Sequence, residues 1–306
     1  MPHWNNQPWQ RNLSKTASCK TGAVRVCVFL GDRKASFSLN SIQWSRQMTS
    51  GLDITRHDGW AEIRIDREAK RNAMDRATRQ AMLAAFEELR RSAKAIVITG
   101  TGMAFCAGMD LKEREQDRLA GIDGAGDEWV SVNIAIRKHP AIFIAAVNGV
   151  ALGGGATLIN VCDLAVASTQ ASIGCPEMGF ATYPAMAGPA IQLSGITRKR
   201  AAWLVLTTNR IDGVTAERWG MVNECVEPDQ LLPRAREIAS HVAKFDRVAL
   251  AESKKTLDRI PGLITDWQEA MDHGQSVNLT IRSKTTAQAE GNARFAAGIK
   301  NPGQGV

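Results

Sequence analysis

The chain has 306 residues, 44% of them hydrophobic, and a formal net charge of +7. That is enough for one large domain or a domain with an appendage, and the apolar fraction is ordinary for a folded, water-exposed protein. No apolar run approaches the roughly 18 residues of a spanning helix, so no membrane-crossing segment is expected.

The charge is unevenly placed. Residues 1–47 carry seven Lys or Arg (Arg11, Lys15, Lys20, Arg25, Arg33, Lys34, Arg46) against the single acid Asp32, a net of +6. The remaining 259 residues therefore carry 7 − 6 = +1. The basic balance belongs to this leader, which argues against nucleic acid as a partner of the main body. The leader holds three of the eight Trp and shows no helical period. It is expected to lie outside the fold, as an upstream extension, an acid-poor organelle transit peptide or a basic arm. Met48-Thr-Ser-Gly-Leu-Asp-Ile reads as a natural start. Six cysteines (Cys19, Cys27, Cys106, Cys162, Cys175, Cys225) form no Cys-x-x-Cys, and no His pair has zinc spacing. They fit reduced thiols of a cytoplasmic protein, or a mitochondrial one if the leader is a transit peptide. No metal site is expected.

From Leu52 the elements follow in order. Leu52–Thr55 and Trp60–Ile65 are β-rich runs around His57-Asp58-Gly59, a hairpin signal. Asp75 opens a helix to about Arg91, with Met82, Phe86 and Leu89 at i, i+4 and i+7. Ala95–Thr99 reads as a buried strand, 127–138 as a helix and Ala141–Val147 as a second apolar strand. A helix follows Gly153–Gly155, and Leu164–Ala167 and Ala171–Ile173 are further strands. From about Ala185 the pattern is mostly helical, broken by a strand near Met221–Val226. Helices are expected at Leu231–Ala243, Arg247–Arg259 and along 264–298. Strand–helix alternation followed by helices alone predicts an α/β core at 48–245 and a helical region at 246–306.

Two turns stand out. Residues 98–113 run from an apolar strand through Ala107-Gly108-Met109-Asp110 into the helix start Leu111-Lys112-Glu113. Residues 147–163 run from a strand through three consecutive glycines into a second helix. Such glycines let a ligand approach the backbone, and the helix dipole favours negative charge there. No Gly-x-x-x-x-Gly-Lys-Ser/Thr is present, and no Gly-x-Gly-x-x-Gly follows a strand here, which disfavours nucleotides. Two turns of this kind can aim two N–H groups at one oxygen, the requirement for stabilising an oxyanion. The five histidines (His3, His57, His139, His241, His273) are scattered, with no nucleophile–base–orienter set around any of them. Asp163 reads as a structural hydrogen-bond acceptor.

From about Met48 to the end, the chain resembles the crotonase superfamily, the enoyl-CoA hydratase/isomerase proteins. The resemblance rests on Arg71-Asn72-Ala73-Met74, Ala104-Phe105-Cys106-Ala107-Gly108-Met109-Asp110-Leu111, Ala146 to Gly155, Cys162-Asp163-Leu164-Ala165 and Pro176-Glu177. It implies a spiral of strand–strand–helix turns with a helical C-terminal trimerisation region, and a homotrimer or dimer of trimers. It implies an acyl-CoA thioester as substrate and no separate cofactor. The thioester oxygen would be held by the N–H groups of Met109 and Gly154. The CoA moiety would lie along Arg71, Ala73, Ala107, Asp110 and Leu111, with Phe295 and Lys300 reaching CoA from the C-terminal helix. The pocket wall would include Met109, Trp129, Val132 and Phe180.

Hydratases of this family use two glutamates. Glu177 matches the second, whereas Thr157 stands where the first is expected. Thr has no titratable group near neutral pH and cannot be a general base, though it can hydrogen-bond a water or substrate group. A second departure is Ala185, where the hydratases usually carry Gly after Pro184. Family members with one glutamate include double-bond isomerases and hydroxycinnamoyl-CoA hydratase-lyases. The expectation is therefore an enoyl-CoA hydratase or hydratase-lyase using Glu177 alone. An isomerase is the alternative, and a non-catalytic CoA-ester- or nucleic-acid-binding protein is the reading of another class.

Overall fold

A strand that runs apolar on both faces must be covered on both, and the spine of this protein is built from such strands. In the computed structural model, which describes residues 46–122 and 127–305, β4 (Ala95–Gly100) is buried at every position. It pairs in parallel with β3 (Trp60–Ile65) on one side and β6 (Ile142–Val147) on the other. β8 (Leu164–Ser168) and β11 (Glu224–Val226) extend the sheet in parallel beyond β6. β2 (Leu52–Arg56) closes the other edge as the expected antiparallel hairpin with β3. β1 (Arg46–Thr49) adds a seventh strand to β2.

β1 starts at Arg46, two residues inside the segment expected to lie outside the fold. Met48 is therefore not where folded chain begins. The expectations for residues 1–45, among them the arm or transit peptide, fall outside the described residues.

The second sheet has four strands in the order β10 (Ile211–Asp212), β9 (Ser172–Gly174), β7 (Val150–Leu152) and β5 (Ala104–Cys106). Each short strand continues a long one after a sharp turn: β4 leads to β5, β6 to β7 and β8 to β9. The three are parallel to one another. This is the strand–strand–helix spiral.

Helices follow the short strands. α1 (Arg76–Leu89) precedes β4, and its N-cap Asp75 accepts from the Thr78 N–H at 2.9 Å. Met82, Phe86 and Leu89 form its buried stripe. α2 (Leu111–Leu119) and α3 (Asp127–Lys138) follow β5, and α4 (Gly154–Val161) follows β7. α5 (Ala187–Leu193), α6 (Arg198–Thr207) and α7 (Gly213–Trp219) come after β9.

The main core lies between the large sheet and these helices. The other face of the sheet presents Trp60, Ala95, Val97, Ile144, Ala146 and Val166 to Leu231, Ala235 and Ala239 of α8 (Leu231–Val242). The chain ends in α9 (Arg247–Leu263), α10 (Trp267–Lys284) and α11 (Ala287–Ala296). Lys254 of α9 is buried and donates to the carbonyls of Ile136 and Ala141 at 2.8 and 3.0 Å. No helix among the described residues is long and apolar enough to cross a membrane.

Candidate active site

Met109, Gly154 and Glu177 each follow the end of one of three neighbouring parallel strands, β5, β7 and β9. The spiral thus gathers at one edge residues that lie up to 68 positions apart in the sequence, from Met109 to Glu177.

The first loop is fixed from below by the Arg71–Met74 segment, which runs beside it as one more parallel bridge between Met74 and Met109. Ala107 N–H donates to the Arg71 carbonyl at 3.0 Å, Met74 N–H to Gly108 at 2.8 Å, and Asp110 N–H to Met74 at 3.2 Å. These bonds turn the Met109 N–H away from Met74, and it has no acceptor among the described residues. Gly108 has φ +94°, and a Cβ there would lie 2.8 Å from the Leu152 carbonyl and 3.2 Å from the Gly154 nitrogen. The two loops therefore meet at Gly108 and Gly154.

The run of three glycines has a separate cause at each position. Gly153 has φ +53°, and a Cβ would lie 2.7 Å from Glu177 Oε1. At Gly154 a Cβ would lie 2.5 Å from Trp129 Cζ2. At Gly155 it would lie 2.0 Å from the Cys106 carbonyl oxygen. One turn is thus pressed by a carboxylate, an indole and a backbone, and only hydrogen fits each gap. Gly154 is the first residue of α4, so its N–H has no partner within the helix, and none is found elsewhere among the described residues.

Glu177 begins a 3-10 turn, Glu177–Phe180, directly after Pro176. Its Oε2 is buried with no hydrogen-bond partner among the described residues. Burial raises its pKa above the ordinary carboxylate value, opposed only by its own backbone N–H. The group therefore has enhanced proton affinity and no cation holding it ionised.

Thr157 is buried on α4, and its hydroxyl donates to the Gly153 carbonyl at 3.2 Å, one turn back in its own helix. Its proton is committed to the backbone. Asp110 caps α2 through Lys112 N–H at 3.1 Å and pairs with Arg67 at 3.2 Å. Arg71, at φ +51°, and Leu111 are exposed beside this loop. Phe295 and Lys300 are exposed on and after α11. No hydrogen bond or ion pair among the described residues joins either to the two loops.

Of the expected pocket wall, Trp129 and Val132 are fully buried, Met109 is partly buried and Phe180 is exposed. Two surface cavities, of about 210 and 530 Å³, lie elsewhere: Arg137, His139 and Lys254 line the first, Cys225, Glu227 and Arg234 the second.

Two asparagines given no role from sequence hold the site in register. Asn72, at φ +56°, donates to the Thr101 and Ala104 carbonyls at 2.9 and 2.7 Å. Asn148 accepts from Gly100 N–H and donates to Gly102 and Ala104. Asn148 had a signal in the sequence, a polar residue inside the otherwise apolar run 141–152, whereas Asn72 follows a charged stretch and had none. Asp163 is structural, as expected. It accepts from Phe143 N–H at 2.8 Å and from Lys254 at 2.8 Å. His139 is buried, its Nδ1 accepts from Ala141 N–H, and its pKa is lowered to about 4 by burial. Cys106 and Cys175 are buried thiols pushed up to about 12 by desolvation, so neither is a nucleophile at neutral pH.

Two amides without partners among the described residues lie in adjoining loops, one at the start of α4, beside the partly buried carboxylate of Glu177. Comparison with known proteins gives the family. Residues 55–298 match the enoyl-CoA hydratase/isomerase family, and the chain belongs to it.

A probable enoyl-CoA hydratase of Rhizobium meliloti is 33% identical over 201 residues, 64% of this chain and 77% of the relative. A mevalonyl-coenzyme A hydratase of Aspergillus fumigatus is 37% identical over 60% of this chain and 68% of its own. A probable mitochondrial enoyl-CoA hydratase of Dictyostelium discoideum is 35% identical, and the match spans only 58% of that protein's length. The crystal structure of an enoyl-CoA hydratase from Bacillus anthracis superposes with a TM-score of 0.75 at 26% identity, covering 84% of this chain and all of that one. One from Mycobacterium smegmatis gives 0.72 at 26%, covering 82% and 97%.

Proposed function

We propose that the chain hydrates 2-enoyl-CoA thioesters through an enolate, with Glu177 as the one carboxylate of its catalytic set. The observation that carries this reading is that the free Met109 and Gly154 amides lie in two loops that meet at Gly108 and Gly154, beside a partly buried Glu177 with raised proton affinity. The amides hold the thioester oxygen and strengthen their bonds to it as the enolate forms. Glu177 takes a proton from water as the oxygen adds to C3, then returns it to C2. CoA lies along Arg71, Ala73, Ala107, Asp110 and Leu111, largely against backbone. Thr157 packs behind the turn and supplies no acid. The thioester is the substrate, and no cofactor is needed.

Isomerisation of an enoyl-CoA is the second reading, because one carboxylate suffices to move a proton between carbons and Thr157 leaves only one. Hydratase-lyase chemistry on hydroxycinnamoyl-CoA uses the same first step. Phe295 and Lys300 meet CoA on a neighbouring subunit of a trimer or dimer of trimers.

The test is turnover of crotonyl-CoA, a 3-enoyl-CoA and a hydroxycinnamoyl-CoA by wild-type protein and Glu177→Gln. Loss of general acid–base catalysis lowers kcat roughly 10²–10⁴-fold, with ester binding little changed. Retention of more than about a tenth of kcat would overturn the role of Glu177. Ester binding with no turnover in any assay would favour a non-catalytic protein.

A further inference from the structure

Two buried polar atoms are left unpaired on the same glycine turn, one a donor and the other an acceptor. Trp129 is fully buried, yet its indole Nε1–H has no acceptor among the described residues. A Cβ on Gly154 would lie 3.1 Å from that nitrogen. Glu177 Oε2 has no donor, and Oε1 borders the preceding residue, Gly153.

The indole is held by its packing: it has no exposed surface, and its ring lies against Gly154. An unpaired buried N–H is a destabilising feature that a phenylalanine would avoid. Thr157, the other polar side chain of this turn, has its hydroxyl proton on the Gly153 carbonyl. Among the described residues, the indole is therefore the side-chain donor left without a partner beside the turn. A single oxygen with a proton to give and a lone pair to accept would satisfy both Glu177 and Trp129.

We propose that the Trp129 indole N–H holds the oxygen that adds to C3 of the acyl chain, sharing it with Glu177: water before the addition, the 3-hydroxyl after it. This rests on the hydratase reading and extends it to substrate discrimination. In the addition, the O–C3 bond forms as the water proton passes to Glu177 and the C2=C3 electron pair moves into the thioester enolate. Glu177 then gives its proton to C2, and the net change is H and OH across the double bond. The Trp129 proton stays on nitrogen throughout. The residue selects 3-hydroxyacyl esters over esters that lack an oxygen at C3.

The experiment measures binding, not only turnover. Dissociation constants for 3-hydroxybutyryl-CoA and butyryl-CoA are compared in wild type, in Trp129→Phe, and in protein carrying 3-benzothienylalanine at position 129. The last keeps the bicyclic ring and replaces N–H by sulfur. Both variants are expected to lose roughly fivefold in affinity for the hydroxy ester, the worth of one hydrogen bond, with butyryl-CoA moving less than about twofold. Equal weakening of both esters, or survival of the hydroxy preference, overturns the role of Trp129 and leaves the hydratase reading intact. Failure of wild type to bind either ester overturns both. Should the variants not fold, indole ¹⁵N–H spectra of the wild type decide. One indole resonance that shifts with 3-hydroxybutyryl-CoA and not with butyryl-CoA is expected, and no such resonance overturns the proposal.

Discussion

Glu177 links the chemistry to stability. Its folded pKa is raised above the ordinary 4.5 because burial penalises the carboxylate. The stability this group allows is fully present below the unfolded value and is lost as pH rises through the folded one. Glu177→Gln is therefore expected to raise the melting temperature at pH 7 while lowering kcat roughly 10²–10⁴-fold. Thermal melts should show the gap closing as pH falls below about 4.5. The acid limb of kcat/KM should lie above 4.5 for the same reason. At this scale the sequence was partly legible. Glu177 and the absence of an acid at Thr157 could be read directly, since side-chain chemistry is printed in the letters. The bond from Thr157 to Gly153 and the orphaned N–H of Trp129 could not. They depend on which side chain a distant helix sets against the turn.

At the scale of elements, the three glycines follow from their neighbours. Gly153→Ala places a methyl carbon 2.7 Å from Glu177 Oε1 at a φ of +53°. The backbone conformation alone costs about 1–3 kcal/mol in a non-glycine residue. The variant should melt lower and lose turnover together, as calorimetry and a hydration assay on one preparation would show. The hairpin, the buried strands and α4 were legible because period and turn chemistry are local. β10 was missed: it has two residues and exists only because β9 offers an edge. β1 was misjudged in the same way. Arg46 and Gln47 look like leader but pair with Thr55 and Ile54, and Arg46 meets the buried Asp53 at 2.7 Å. A chain started at Met48 leaves that carboxylate without its partner, so it should melt below a chain started at Ser45, as paired thermal scans would show.

At the scale of the whole molecule, one group of exposed apolar side chains among the described residues lies at the C-terminal end. Leu257, Leu263, Trp267, Met271, Leu279 and Phe295 are all more than half exposed, and α10 has no buried residue at all. A helix of 18 residues without a buried face is marginal alone. Self-association through α9–α11 is expected, and light scattering at micromolar concentration should give a multiple of the 33.2 kDa chain mass. A Trp267→Glu substitution should shift that equilibrium toward monomer.

The way successive turns of the spiral each contribute one site residue also sets an order of events during synthesis. A nascent chain that has emerged as far as α4 already holds Met109 and Gly154. It can form the amide pair before the third turn exists. The acid arrives only with β9 and Glu177, after Asp163 has met Phe143 and the third strand has been laid beside the second. On the function proposed above, binding capacity thus precedes reactivity along the chain, and a partly made protein able to hold a thioester has as yet nothing with which to protonate it.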